Sequence, residues 1–337
     1  MSLFSVDVLK IDKVTPHANA DKLELVIIKG WQVVIVKGQF KEGDTAIYVP
    51  VDAVIPLELS EKWGVTKYLN NQRVRAARLR GEMSYGFLAP NDENLEVGLD
   101  VSEKYGIIKY VQPEELNMGD NETPHPSFDK YTDIENIKNF PDIIQPGEKV
   151  VFTEKIHGTN SRVGLIAKDS EIIPIAGSHT MRKKLIEGTR YSKPYFIPGV
   201  REMLEAIFAK KYASVVIAYG EIYGYKIQDL QYGLNKNADF RVFDIKVNGS
   251  YLDWDEVIKY CREYGVKYVP ELYRGPFDME LAKKYSTGNT TLTTEKQIRE
   301  GIVIHPLKER NDPKLGRVIL KLINDDYILR KNGTEFH

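Results

Sequence analysis

Two six-residue apolar runs stand back to back near the start of the chain. They are LELVIIKG at 23–30 and WQVVIVKG at 31–38, and Lys-Gly closes each. Runs this short, rich in Val and Ile and bounded by glycine, read as strands joined by tight turns rather than as helices. The flanking chain continues the pattern. VDVLKIDKV at 6–14 alternates, KEGD at 41–44 is a turn, and AIYVPVDAVIP at 46–56 is a further strand ended by proline. Many short strands with tight turns close most readily into a small barrel, predicted here over residues 1–110.

Beyond the barrel the pattern changes. Residues 112–147 are polar and carry Pro113, Pro124, Pro126, Pro141 and Pro146. They predict a linker over 111–147 with one short helix near TDIENIKNF at 132–140. From 148 to 337, apolar strands (VVFTE, SVVIAYGEIYG, FRVFDIKV, GIVIHPL, RVILKLI) alternate with helical stretches such as VREMLEAIFAKKYA and DWDEVIKYCREYG. The class is therefore α+β, and 337 residues suffice for two domains, each with its own core.

Composition removes several classes of function. A net charge of −1 excludes a bulk polycation, so any nucleic-acid contact must come from local patches. RVRAARLR at 73–80 is one such patch; it serves either as a solvated face or as a phosphate contact. A single cysteine, Cys261, excludes an internal disulfide and a multi-cysteine zinc site, and fits a reducing, intracellular, cytoplasmic setting. No run approaches the roughly 20 apolar residues of a membrane span, and the N-terminus lacks the form of a secretory signal. Twenty tyrosines suit β-rich packing, with base stacking at some of them as the sharper alternative.

The chemistry concentrates at FTEKIHGTNSRVG, 152–164. Lys155 ends an apolar strand and is followed by His157 and Gly158. A lysine nucleophile must lose a proton from a group whose ordinary pKa is about 10.4, so burial or nearby positive charge is expected to lower it. Gly158 permits a tight turn whose backbone N–H groups approach a phosphate. Attack of the amine on phosphorus would leave a phosphoramidate, and such a reaction needs carboxylates for a divalent metal and cations for the phosphates. Glu221 in GEIYG, Glu300 in EGIVI, Lys321 in LKL and Arg182 in SHTMRKK supply them in order, and Phe243 in FDI offers an aromatic face. Taken singly, Phe243 reads as core and the two glutamates as surface carboxylates. Lys321 inside an apolar strand is harder to dismiss, because lysine is rarely buried without a partner.

Two resemblances follow from these phrases. HANADKLELVIIKG at 17–30 and VIVKGQFKEGDTAIYVPVDAVIP at 34–56 resemble the OB-fold domain of tRNA-binding proteins. Asn19 to Lys22 would equally serve only to turn a corner. The ordered set Lys-x-His-Gly, GEIYG, FDI, EGIVI and LKL resembles the covalent nucleotidyltransferase superfamily of ATP-dependent DNA and RNA ligases and mRNA capping enzymes. EKIHGTN is similar to the phage-type nick-sealing RNA ligases. The combination is closest to relatives with an N-terminal OB-type β-barrel before a nucleotidyltransferase domain of antiparallel sheets and helices.

The resemblance implies an ATP-dependent RNA ligase with magnesium or manganese. It would join RNA 3′-OH and 5′-phosphate ends, at nicks in duplexes, in an RNA-repair role. Lys155 would carry AMP, Glu154 would contact adenine, and Phe243 would stack on it. Arg182 would contact the nucleotide or the RNA 5′-phosphate. Glu221 would bind the ribose or metal water, Glu300 the catalytic metal, and Lys321 the α-phosphate. His157 and Asn160 would act in the RNA-dependent steps, and Gly158 would shape the turn at the nucleotide. Two departures stand out. The family's last motif often reads Lys-x-Lys, but Ile323 fills the second position, leaving Arg330 or Lys331 to compensate. With 16 residues after Lys321 (337 − 321), no C-terminal domain is expected there. The alternatives are a DNA ligase, a guanylyltransferase, or a non-catalytic tRNA- or RNA-binding protein.

Overall fold

The computed structural model describes residues 4–110 and 120–330. The chain divides into two compact units, Met1–Pro113 with Ile137–Pro141, and Glu114–Asn136 with Asp142–His337.

The first unit holds β1 (Asp7–Lys10), β2 (Val14–Pro16), β3 (Leu23–Ile28), β4 (Trp31–Val36), β5 (Thr45–Val49), β6 (Ala53–Val54), α1 (Leu57–Lys62), β7 (Ala77–Leu79), β8 (Glu82–Ser84), β9 (Phe87–Pro90) and β10 (Ile108–Lys109). The expected hairpin is β3–β4. Ile28 pairs with Trp31 across a two-residue turn, Lys29 and Gly30, both with positive φ as a type I′ turn requires. β5 is central, between β1 and β9. Ile47 and Val49 enter one apolar cluster while Ala46 and Tyr48 enter the other, which is why AIYV reads as a continuous apolar run.

The HANADK phrase does build a corner. The His17 ring lies 2.9 Å from the Leu79 carbonyl, and Asn19 Nδ2 donates to the Arg80 carbonyl at 3.3 Å. These contacts hold the β7–β8 turn. Within the basic run, Arg73 is buried, bonded to Asp52 at 2.6 Å and stacked 3.8 Å above the Tyr110 ring. Arg75, Arg78 and Arg80 are exposed.

The second unit holds β11 (Glu135–Asn136), β12 (Lys149–Lys155), β13 (Thr159–Lys168), β14 (Glu171–Ser178), β15 (Arg182–Lys183), α2 (Val200–Lys210), β16 (Val215–Gly224), β17 (Ala238–Val247), β18 (Ser250–Tyr251), α3 (Trp254–Glu263), β19 (Glu271–Pro276), α4 (Met279–Ser286), β20 (Gly301–Pro306), β21 (Asn311–Asp312), β22 (Gly316–Arg317), β23 (Leu320–Ile323) and α5 (Asp325–Ile328). Two sheets organise it: β11-β23-β20-β12-β19, and β15-β14-β13-β16-β17-β18. All pairs are antiparallel except β11 with β23. One large core packs α2 and α3 against the six-stranded sheet through Leu204, Ile207, Val257 and Cys261. A second cluster joins that sheet's other face (Ile166, Ile217, Tyr219) to Ile319 and Val303 of the five-stranded side.

The expected linker over 111–147 is not a separate segment. Residues 137–141 belong to the first unit, where Asn139 accepts from the Trp31 indole at 2.6 Å, and the rest of the described stretch belongs to the second. Phe128 and Tyr131 are buried in the second unit's inter-sheet cluster, an apolar anchor hidden among prolines. The expected helix near 132–140 is instead β11 followed by a single 3₁₀ turn, Ile137–Asn139, because Glu135 and Asn136 pair with β23. No helix among the described residues is long and apolar enough to cross a membrane.

Candidate active site

Lys155 is the last residue of β12 and lies opposite Gly301 of β20. Glu300 directly precedes that strand, and the Lys155 ammonium donates to Glu300 Oε1. Glu221 comes from the other sheet, where β16 pairs it with Asn160 of β13. The turn between β12 and β13 brings the two sheets together, and it is pressed hard against β16. A Cβ on Gly158 would lie 2.2 Å from the Ile222 carbonyl oxygen and 2.8 Å from Glu221 Cγ. The glycine is required by this close approach, and its N–H donates to the Glu221 carboxylate.

The electrostatics reverse one expectation. Burial alone pulls the Lys155 pKa down, but Glu300 and Glu221 outweigh it and hold the amine above its ordinary value. Burial pushes Glu221 up to about 8, with help from Glu300 and against the pull of Lys155. Among the described residues, Glu300 Oε2 and Asn160 Oδ1 are buried with no hydrogen-bond partner. Buried polar atoms without partners are costly, and here they sit beside a carboxylate pair. Among the described residues no three His, Cys, Asp or Glu side chains gather into a metal cage. A buried and a half-buried carboxylate suit a hard divalent ion that takes its remaining ligands from water and substrate phosphate.

The other expected residues divide. Lys321 lies on β23 beside Val303 of β20, on the strand next to Glu300's. Phe243 sits at the irregularity where β17 slips against β16; its ring meets Tyr131 edge-on at 4.7 Å and, like Val303, lines the inter-sheet cluster. Arg182 lies at the sheet edge, paired with Glu122 at 2.8 Å and donating to the Thr123 carbonyl, with Nε buried and without a partner among the described residues.

The Glu154 side chain is bonded within the fold. Alternation along β12 turns it away from Lys155. Its carboxylate accepts from Thr291 N at 2.9 Å and Oγ1 at 2.7 Å and from Thr290, with Arg299 at 3.7 Å. That side chain anchors the loop before β20.

His157 is also committed. It is 2% exposed. One ring nitrogen lies 2.7 Å from Asp229, the other 2.7 Å from the Tyr327 hydroxyl, and its backbone N–H donates to Tyr232 at 2.6 Å. Burial lowers its pKa despite Glu300 and Asp229. Arg330 donates to Asp229 at 2.9 Å and to the Tyr327 carbonyl, so it closes this network. Lys331 lies outside the described residues. Ile323 pairs with Gly301, which itself faces Lys155. Sequence reasoning missed Asp229, Tyr232 and Tyr327. They sit in polar loops or a short helix with no local pattern.

This geometry accords with known proteins. The RNA ligase family model matches residues 148–323. A second model, an OB-fold domain, matches residues 5–91. The chain is similar to solved structures of a Naegleria gruberi RNA ligase at 26% identity. An apo mutant matches over 96% of this chain and 97% of that one with a TM-score of 0.79. A mutant with ATP and manganese matches over the same shares at 0.78, and one with AMP and manganese, again over the same shares, at 0.76. No curated protein matches the chain. The chain belongs to the RNA ligase family, an N-terminal OB-fold domain preceding a sheet-rich nucleotidyltransferase-like domain.

Proposed function

We propose that this RNA ligase uses ATP and a lysyl-AMP intermediate to seal 3′-OH and 5′-phosphate ends at nicks in RNA duplexes. The observation that carries the reading is Lys155 at a strand end, bonded to Glu300 and flanked by half-buried Glu221. The Naegleria ligase structures with ATP or AMP and manganese support it by analogy.

The deprotonated Lys155 amine attacks the α-phosphorus of ATP. A P–N bond forms, the Pα–O bond to the β-phosphate breaks, and pyrophosphate leaves. A 5′-phosphate oxygen of the RNA then takes the AMP, breaking P–N and returning the amine. The 3′-OH, losing its proton, attacks the activated 5′-phosphate and AMP departs. Lys321 neutralises the α-phosphate. Phe243, braced by Tyr131, offers its ring to the adenine, with Val303 in the same cluster. Arg182 serves the nucleotide or the 5′-phosphate, and Asn160 the RNA-dependent steps. Glu221 and Glu300 would hold magnesium or manganese, which when bound supplies positive charge to phosphate oxygens. Occupying those carboxylates also removes what holds Lys155 protonated.

The test is incubation with α-labelled ATP and either metal, beside Lys155→Ala. An acid-labile label on the wild-type chain alone, together with sealing of a nicked RNA duplex, is the expected result. Labelling of the alanine variant would remove Lys155 as nucleophile. Wild-type labelling without duplex sealing would remove the nick.

A further inference from the structure

Behind the catalytic strand lies a groove that the chemistry above does not use. It measures about 1200 Å³ and runs between α3, β19 and the loop that anchors Glu154. Five cations line it against two carboxylates, Asp255 and Glu271. Both carboxylates are spent on one cation: Glu271 grips Arg274 through two bonds of 2.8 Å, and Asp255 takes its third nitrogen at 2.7 Å. Lys267 is matched by Asp239 at 2.7 Å. The other three, Arg241, Lys259 and Arg262, have no carboxylate within ion-pair distance among the described residues.

The two arginines are held by neutral groups. Arg241 donates to the Tyr223 hydroxyl at 2.9 Å and to the Tyr268 carbonyl at 2.8 Å. Arg262 donates to the Tyr268 hydroxyl at 3.0 Å. Neutral acceptors orient a guanidinium without cancelling its charge, which leaves forked donors ready for phosphate oxygens. Asp239 reaches Arg241 only through the Tyr223 hydroxyl, which donates to it at 3.1 Å, so three cations without a direct ion pair around one groove favour an anion between them. The groove also reaches the nucleophile's strand. Thr291 lines it and holds Glu154, the residue before Lys155.

We propose that this groove binds the sugar-phosphate backbone of the RNA substrate away from the junction being sealed, with Arg241, Lys259 and Arg262 on its phosphates. The proposal rests on the RNA-ligase reading and adds where the substrate is held. RNA recognition relies heavily on backbone contacts, and a chain of net charge −1 must gather its phosphate contacts locally.

The test uses the full chain and the double variant Lys259→Gln/Arg262→Gln. Both side chains are exposed on α3, so the fold should survive. Binding of a 5′-phosphorylated nicked RNA duplex is followed by fluorescence anisotropy between 50 and 200 mM salt, and lysine adenylylation by ATP serves as control. Losing two phosphate contacts should lower the slope of log K against log salt by about 2, weaken binding about tenfold at the low-salt end, and leave adenylylation within about twofold. Unchanged affinity and slope would overturn the proposal. So would an equal loss in the ATP step, which would make the groove a nucleotide site. If the wild-type chain seals no RNA at all, the underlying reading fails and the groove assignment falls with it. Sealing by wild type with no change in the variant sinks the groove alone.

Discussion

Adding one methyl group at Gly158 should cripple adenylylation without altering any reacting group. The new carbon would stand 2.2 Å from the Ile222 carbonyl oxygen, where a close carbon–oxygen contact needs about 3.3 Å. The turn and β16 must therefore part by about 1 Å, and Glu221 rides on β16. Forcing extra volume into a packed site costs about 1–3 kcal/mol, and in a unit of this size each of these lowers Tm by about 2–4 °C. A shift of about 1 Å at a catalytic constellation can cost about a hundredfold in rate, near 2.7 kcal/mol of barrier. The assay is the rate of label transfer from α-labelled ATP to protein, with Tm from a thermal melt. Gly164→Ala is the control. Its Cβ would meet the Val216 carbonyl oxygen at 2.3 Å on the same strand pair, but four residues beyond Asn160. It should lower Tm comparably and spare the rate of the folded fraction. If Gly158→Ala labels at the wild-type rate, or Gly164→Ala loses as much, the turn does not position Glu221.

Two further outcomes are expected. In metal-free protein, Glu221 keeps a proton to about pH 8 that the unfolded chain releases near 4.5. The folded state then binds more protons in that window, so stability falls as pH rises through it and levels off above. Glu221→Gln should shallow this slope in Tm measured from pH 5 to 8 with chelator. Asp244, pushed up to about 6 by burial, leaves a residual slope in the same direction. Parallel curves for the two proteins would contradict the assignment. Phe243→Ala should raise KM for ATP by about 5- to 150-fold, the worth of one stacked base, and affect sealing of pre-adenylylated RNA much less. Equal losses in both reactions would make Phe243 only a support for Tyr131.

Local pattern sufficed wherever a property belongs to a stretch of chain. VVFTEK announced a buried strand ending in lysine, and β12 is that strand. The Lys-Gly at 29–30 announced a hairpin, because two left-handed residues between apolar runs have few other uses. GEIYG, EGIVI and LKL stood on strands as their apolar neighbours required. Polar stretches misled. Phe128 and Tyr131 were hidden between prolines, although the aromatic character of Tyr131 was the only local sign that it would back Phe243.

The sequence by itself thus determined the order of the main strands and singled out Lys155 as the candidate nucleophile, since both follow from residue type and spacing along the chain. Tertiary structure alone decided which groups surround that lysine. Strand register turned Glu154 away from it and brought Glu300 and Glu221 toward it from two different sheets. Chain return over more than seventy residues put Asp229 and Tyr327 on His157. Whether Lys155 rests charged or neutral depends on distances through space and on burial, and neither quantity exists until the sheets have closed.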